Sequence, residues 1–475
     1  MLFSSVVFLF YFLPCVLVLY YIFSFSRTLQ NTILLISSLF FYAWGEPVYV
    51  LIMLGSIVFN YICGLLVDKN RKTKGLAKFI IIITCIGNLV ILFIFKYLGF
   101  VVRNINEISS GSIKINIPSI ALPIGISFFT FQAMSYVIDV YRSEAHVQKN
   151  IFSLGLYISF FPQLVAGPIV RYTTIEDAIK NRKETLTKFS VGTCRFITGL
   201  AKKVLISNSM AVIVDRIYEM NTNVSIPVTL AWLGSIAYTL QIFFDFSGYS
   251  DMAIGLGLMF GFKFDENFNY PYLSKSISEF WRRWHISLGT WFKDYVYFPL
   301  GGSRVANKDK MIRNLLVVWV LTGVWHGAEW TFIIWGFLNF VFITLEKLIS
   351  FEDLDIKPIY KHIYALFLIN IGWVLFRSSN LIEAGKYISC MFGFSKNTFF
   401  SNYTYMFIRE NFVFLIAAIV FSTPIARKIN KFIVDKYNGF KILESLYPVT
   451  IMTLFLICIC YLIKGTYNPF IYFNF

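Results

Sequence analysis

The sequence predicts an all-α polytopic membrane protein, on three observations. Of its 475 residues 57% are hydrophobic, 19% aromatic and only 14% charged. Its mean hydropathy is +0.66, and the apolar residues gather into runs long enough to span a bilayer. Roughly 20 apolar residues cross the hydrocarbon core as a helix, and a soluble globular domain does not carry this composition. The runs lie near 1–24, 30–44, 47–67, 78–100, 120–140, 191–214, 228–260, 312–348, 360–376, 411–425 and 447–464, several too long or too short for one clean span. The first has neither a basic start nor an A-x-A type cleavage site, so it reads as a retained helix.

The formal charge of +16 is not a nucleic-acid signal, because the basic residues cluster in short loops beside apolar runs. Such loops lie on the cytoplasmic side. Lys69, Arg71, Lys72, Lys74 and Lys78 form one, the stretch from Lys180 to Lys203 a second, and Arg427, Lys428, Lys431, Lys436 and Lys441 a third. Counting spans from the first loop puts the beginning of the chain outside, residues 109–119 outside and residues 261–313 toward the cytoplasm. Contact with solvent and with membrane lipid headgroups accounts for these charges.

Seven cysteines, scattered and mostly within apolar runs, predict buried small hydrophobes and no disulfide framework. No Cys/His spacing resembles a metal site. Without an internal repeat or a low-complexity tract, residues 1–475 read as a single membrane domain.

Two breaks in the apolar pattern carry information. In Phe160-Phe-Pro-Gln-Leu-Val-Ala-Gly-Pro-Ile-Val-Arg171, Pro162 and Gly167-Pro168 interrupt a run too short to cross. It is either a re-entrant segment covered by protein or a cavity, or a kinked helix end at the interface. The larger break begins at Asp265 and contains Trp281-Arg-Arg-Trp-His285. Ser276 to Ser278 with Glu279 marks a helix start. If the helix continues, Trp281, Trp284 or His285, Leu288, and Trp291 or Phe292 share one face, as on an interfacial helix. Arg282 and Arg283 would then meet lipid phosphates or those of a donor.

His285 is one of only four histidines. A second, His326, lies in Thr322-Gly-Val-Trp-His-Gly327, where Gly323 and Gly327 let a helix or a ligand approach the imidazole. An ionisable ring near hydrocarbon is costly and marks a functional site by default, and imidazole titrates near neutral pH, which suits proton transfer. The plainer reading of a membrane histidine is an interhelical hydrogen-bond partner. Asp245 and Asp251 bracket a small-residue turn that a cap or a buried polar network explains equally well. His146 and His362 lie beside span ends with no supporting motif, and read as interfacial.

At these motifs the chain resembles the membrane-bound O-acyltransferase family, in its bacterial branch that contains the membrane subunit of alginate O-acetylation. The resemblance rests on the start Met1-Leu-Phe-Ser-Ser-Val-Val-Phe-Leu-Phe10, Phe41-Tyr-Ala-Trp-Gly45, Leu122-Pro-Ile-Gly-Ile-Ser-Phe-Phe-Thr-Phe131, residues 163–171, Asp245-Phe-Ser-Gly-Tyr-Ser-Asp251, residues 281–304 and residues 322–327. It implies about eleven transmembrane helices with re-entrant segments around a central tunnel, in a bacterial plasma (inner) membrane. The family's principal histidine matches His326, as general base or as the group that orients the acceptor. A second position matches His285, which would hold the thioester or assist its leaving thiolate. Trp284, Trp325 and Gly323 would shape the tunnel, and Arg282 and Arg283 are candidates for donor phosphates.

The implied donor is acetyl-CoA, a substrate rather than a resident cofactor. The implied acceptor is an exported polysaccharide, reached with an extracytoplasmic esterase-like acetyltransferase partner. The aromatic tail at residues 467–475 would dock such a partner or anchor at the interface. Two other readings stand beside this one. One is D-alanyl transfer to teichoic acid from a carrier protein, within the same family. The other is a proton-coupled transporter or flippase, against which the lack of paired halves with matching broken helices counts.

Overall fold

The computed structural model describes residues 1–109, 114–118, 120–303, 307–426, 428–429, 432, 440–465 and 467–471. Arg304, Ser119, Arg427, Lys431 and Lys436, named above, lie outside them, as do residues 110–113 and 472–475. Eight helices among the described residues are long and apolar enough to cross a membrane: Val50–Lys69, Lys74–Ile108, Leu186–Thr222, Val228–Met259, Trp330–Leu348, Pro358–Arg377, Asn402–Phe421 and Leu446–Lys464. Phe8–Ile22 is apolar but shorter. The long run near 312–348 is two helices, Lys308–His326 and Trp330–Leu348, separated where Gly327 stops the first.

The chain forms two compact units, Met1–Phe196 with Met252–Asp265, and Ile197–Asp251 with Glu266–Phe475. In the first, phenylalanines from distant segments build the core: Phe3, Phe8, Phe12, Phe41, Phe160, Phe161 and Phe260 are buried. Phe161 meets Phe12 edge-on at 5.4 Å. The helices Val50–Lys69 and Lys74–Leu92 are joined by a reciprocal amide pair, Asn60 with Asn88, at 3.1 and 2.9 Å. In an apolar setting such a pair satisfies both carboxamides. The Phe160 to Arg171 segment is a four-residue helix, Phe161–Leu164, followed by buried irregular chain. Gly125, at φ +74°, makes room for it, because a Cβ there would stand 2.6 Å from the Leu164 carbonyl oxygen.

In the second unit, the helix Ile277–Arg283 begins at Ser276, whose hydroxyl accepts from Glu279 N at 2.9 Å. Buried Glu346 on Trp330–Leu348 accepts from Ile277 N at 2.6 Å, Ser278 N at 2.9 Å and Ser278 Oγ at 2.7 Å. A carboxylate on the free amides of a helix start satisfies the backbone and meets the positive end of the dipole. Trp281 Nε1 donates to Asn339 Oδ1 at 2.8 Å, a second tie to the same helix.

The helices Lys308–His326 and Trp330–Leu348 cross at glycine. A Cβ on Gly323 would stand 2.6 Å from Phe332 O, and one on Gly336 2.5 Å from Trp319 O. Of the two glycines sequence analysis placed beside the imidazole, Gly323 thus lets two backbones approach, while Gly327 leaves room for the Phe332 ring. Forcing a methyl into such a contact typically costs 1–3 kcal/mol. Gly336→Ala is therefore expected to lower the thermal midpoint in detergent by an amount equivalent to about 1–3 kcal/mol. A midpoint at the wild-type value would show that the helices do not need this approach.

Candidate active site

The site is assembled within the second unit, and its first feature is a break in a helix. The helical face expected to run from Ser276 past Leu288 is divided into Ile277–Arg283 and Ile286–Phe292. Between them His285 adopts φ +45°, ψ +54°, in the left-handed region that disfavours most side chains. Asn267 explains the break. Its carbonyl accepts from Ile286 N at 3.0 Å, and Asn269 N donates to Arg283 O at 2.9 Å, so an extended segment captures the backbone that would have closed the helix. The Asn267 side-chain Oδ1 accepts from Ser287 N at 3.1 Å and Ser287 Oγ at 3.0 Å.

His285 Nδ1 lies 3.2 Å from that same Oδ1. Because Ser287 N–H can only donate, the atom it meets is the carboxamide oxygen. Ser287 Oγ lies 3.4 Å from the same Nδ1, so Nδ1 is held either as donor to Asn267 or as acceptor from Ser287. His285 is buried, with Phe246 edge-on at 4.6 Å. Burial lowers its imidazole pKa from 6.5 to about 3, because the charged form loses its hydration. At neutral pH the ring is uncharged.

His326 arrives by a different route, as the last residue of Lys308–His326, a helix whose start Asn307 caps by accepting from Asp309 N at 2.9 Å. Its ring packs edge-on against Trp335 at 5.1 Å and Phe376 at 5.2 Å. Trp325 joins the two histidines: its ring lies 4.8 Å from that of His326 and 6.2 Å from that of His285. Both imidazoles and the indole between them are buried. Trp284 stands in the adjoining aromatic cluster, 5.0 Å from Trp373 and 5.1 Å from Phe268.

The remaining sequence candidates are placed elsewhere. Arg282 Nη2 pairs with Glu352 Oε1 at 2.6 Å and Arg283 Nη2 with Glu279 Oε1 at 2.8 Å, the first pair half-exposed. Gly323 lies at the helix crossing described above. Asp251 pairs with Lys202 at 2.6 Å, and Asp245 with Lys203 at 2.6 Å in a fully buried contact. The stretch from Lys180 to Lys203 is accordingly not all solvated loop, since helix Leu186–Ala201 fills most of it and a π-helical turn, Lys202–Ser207, carries its last two lysines. His146, in the first unit, faces Glu176 at 3.1 Å, and His362 faces the Ser274 carbonyl at 3.1 Å. Sequence reasoning missed Asn267, Phe246, Trp335 and Phe376. Asn267 alone left a signal, lying in the same polar break as His285. Among the described residues no three His, Cys, Asp or Glu side chains gather as metal ligands would.

The arrangement buries two imidazoles among aromatic rings, one of them held against Asn267, which suits moving a proton between heteroatoms rather than binding a charged group. The folded state resists a proton that the unfolded chain takes up below pH 6.5. The stabilising contribution of neutral His285 is thus full above that value and is lost as pH falls toward about 3. Asparagine tolerates the left-handed region and keeps a polar group near Asn267. His285→Asn is expected to fold, and its thermal midpoint to fall less than that of wild type between about pH 7 and about pH 5. Parallel pH profiles would contradict a buried neutral imidazole.

A model of the MBOAT, membrane-bound O-acyltransferase family matches residues 124–352. The chain is 44% identical over 401 residues to a protein of Pseudomonas syringae pv. tomato named "Probable alginate O-acetylase AlgI", covering 83% of this chain and 76% of that one. It is 35% identical over 428 residues to a Helicobacter pylori protein named "Peptidoglycan O-acetyltransferase", covering 83% and 80%. To the "Teichoic acid D-alanyltransferase" of Bacillus subtilis it is 32% identical, over 46% of this chain and 58% of that one. His285 and His326 both fall within the matched region, and the chain belongs to the membrane-bound O-acyltransferase family.

Proposed function

We propose that this O-acyltransferase passes an acetyl group from cytoplasmic acetyl-CoA across a bacterial inner membrane to the hydroxyl of an exported polysaccharide, working with an extracytoplasmic esterase-like partner. The whole chain acts as one membrane domain, and acetyl-CoA enters as a substrate. The observation that carries this reading is the packing of both His285 and His326 against one buried indole, Trp325. Acetyl transfer is favoured over D-alanyl transfer because the likeness to the two O-acetylating relatives covers 83% of the chain, and that to the D-alanyl relative 46%.

Lys308–His326 carries Lys308, Lys310 and Arg313 at one end and His326 at the other. The positive-inside rule turns the basic end to the cytoplasm, and His326 lies at the end away from it. His326 accepts the proton of the acceptor hydroxyl as its oxygen forms a bond to the thioester carbonyl carbon. The C–S bond then breaks, and the proton passes to the departing thiolate. His285, held by Asn267, positions the thioester or assists its leaving thiolate. Trp284 and Trp325 shape the walls. Arg282 and Arg283 take donor phosphates by exchanging Glu352 and Glu279 for another anion.

The test is acyl transfer from labelled acetyl-CoA by the purified full chain in nanodiscs, wild type against His326→Ala at matched folding. A positioned base contributes about 10² to 10⁴ in rate, and the variant is expected to lose transfer by that order. A folded wild type that neither binds nor consumes acetyl-CoA would overturn the donor, and consumption only of a D-alanyl carrier would establish the other branch.

A further inference from the structure

Asn267 has a side chain of which only one end is used. The segment that carries it is pinned along its length: the Asn267 carbonyl accepts from Ile286 N at 3.0 Å, Asn269 N donates to Arg283 O at 2.9 Å, and Arg283 Nη1 donates to the Asn269 carbonyl at 3.1 Å. Phe268 packs 5.0 Å from Phe246 and 5.1 Å from Trp284. Extended chain turns successive side chains to opposite faces. Asn269 is accordingly exposed, while Asn267 points inward and is 1% exposed.

The carboxamide is held as firmly as the backbone. Its Oδ1 stands 3.0 Å from Ser287 Oγ, 3.1 Å from Ser287 N and 3.2 Å from His285 Nδ1. A carboxamide is planar, so these contacts on the oxygen also set the direction of the two N–H bonds on Nδ2. Among the described residues that buried nitrogen has no hydrogen-bond partner. Burying a donor unpaired is costly, and a catalytic role is one of the few reasons for which a native structure keeps one. The setting fits that reason. Oδ1 lies against His285, whose ring is 6.2 Å from Trp325, the indole that His326 also meets at 4.8 Å. A fixed, neutral donor in such surroundings stabilises an acceptor that gains negative charge during reaction.

Resting on the function proposed above, we propose that Asn267 is a further catalytic residue, whose Nδ2 donates to the carbonyl oxygen of the donor's thioester and holds the negative charge that develops there. The acceptor oxygen gives its proton to His326 and bonds to the carbonyl carbon, and the C=O π pair moves onto the carbonyl oxygen. When that pair returns, the C–S bond breaks and the sulfur keeps its electrons and takes the proton from His326. Asn267 gives up no proton at any stage. Oδ1 positions His285, and Nδ2 meets the substrate.

Asn267→Asp separates these two roles. At about pH 8, where a carboxyl group is ionised, aspartate keeps an oxygen for Ser287 and places a second acceptor where the N–H bonds were. Infrared difference spectra of the full chain in nanodiscs are taken with acetyl-CoA carrying carbon-13 at the thioester carbonyl, and again with the label at the amide carbonyls of its pantetheine arm. No acceptor is present. On wild type the thioester band is expected below its position in water, because a fixed donor weakens the C=O bond. In Asn267→Asp it is expected above that position, as for a carbonyl in an apolar site without a donor. The amide bands are expected at the same place in both. In acyl transfer, kcat of the variant is expected to fall by about 10² to 10³ with KM near the wild-type value. Ser287→Ala, which loosens the carboxamide but keeps Nδ2, is expected to lower the thermal midpoint and leave the thioester band below its position in water. A thioester band at or above its aqueous position on wild type overturns the proposal whether or not any variant folds. So does a band that Asn267→Asp leaves in place, an amide band that moves instead, or a loss confined to KM. A folded wild type that shows no bound donor at all marks failure of the acetyl-CoA reading, and this proposal falls with it.

Discussion

The carboxamide of Asn267 is the constraint on which the site depends. Without it the chain from Ile277 to Phe292 has every local reason to form one amphipathic helix, which would leave His285 one more residue on an apolar stripe. By accepting from Ser287 N and Ser287 Oγ, with its own carbonyl taken by Ile286 N, Asn267 stops that helix and turns the imidazole toward Trp325. The left-handed backbone at His285 costs of order 1–3 kcal/mol, and the hydrogen bonds of the captured segment, with the aromatic packing of Trp284, oppose that cost.

Around this point the second unit is built so that long elements deliver single rings. The glycine crossing of Lys308–His326 with Trp330–Leu348 brings His326 against Trp335, and Pro358–Arg377 contributes Phe376 to the same ring cluster. Glu346 and Asn339 tie the short helix Ile277–Arg283 to Trp330–Leu348. One helix therefore positions both neighbours of the chamber. Charge is handled by pairing: Lys203 meets Asp245, and Arg377 meets Asp215.

The class of fold was legible because hydropathy is a property of each run alone. The two histidines were legible because Trp-Arg-Arg-Trp-His and Trp-His-Gly are compact motifs, and the start at Ser276 because a cap and its Glu279 are three residues apart. What escaped depends on partners distant in sequence. The break at His285 is caused by a residue 18 positions away that periodicity does not weigh. The salt bridge of Arg283 to Glu279 at i, i+4 was readable from spacing, whereas that of Arg282 to Glu352 was not. Lys203 looked like one of a run of solvated cations, and only the fold reveals Asp245 opposite it. The described part of the tail, residues 467–471, closes on that pair, a contact that no spacing in the sequence announces.

If His285 and His326 serve one chamber through Trp325, their substitutions act on a single event and their effects overlap. A double-mutant cycle on acyl transfer, comparing His285→Asn, His326→Ala and the pair, measures this directly. The prediction is that the double variant is no slower than the slower single variant. Multiplicative losses, with the two free-energy costs adding in full, would show two independent residues and contradict a shared site.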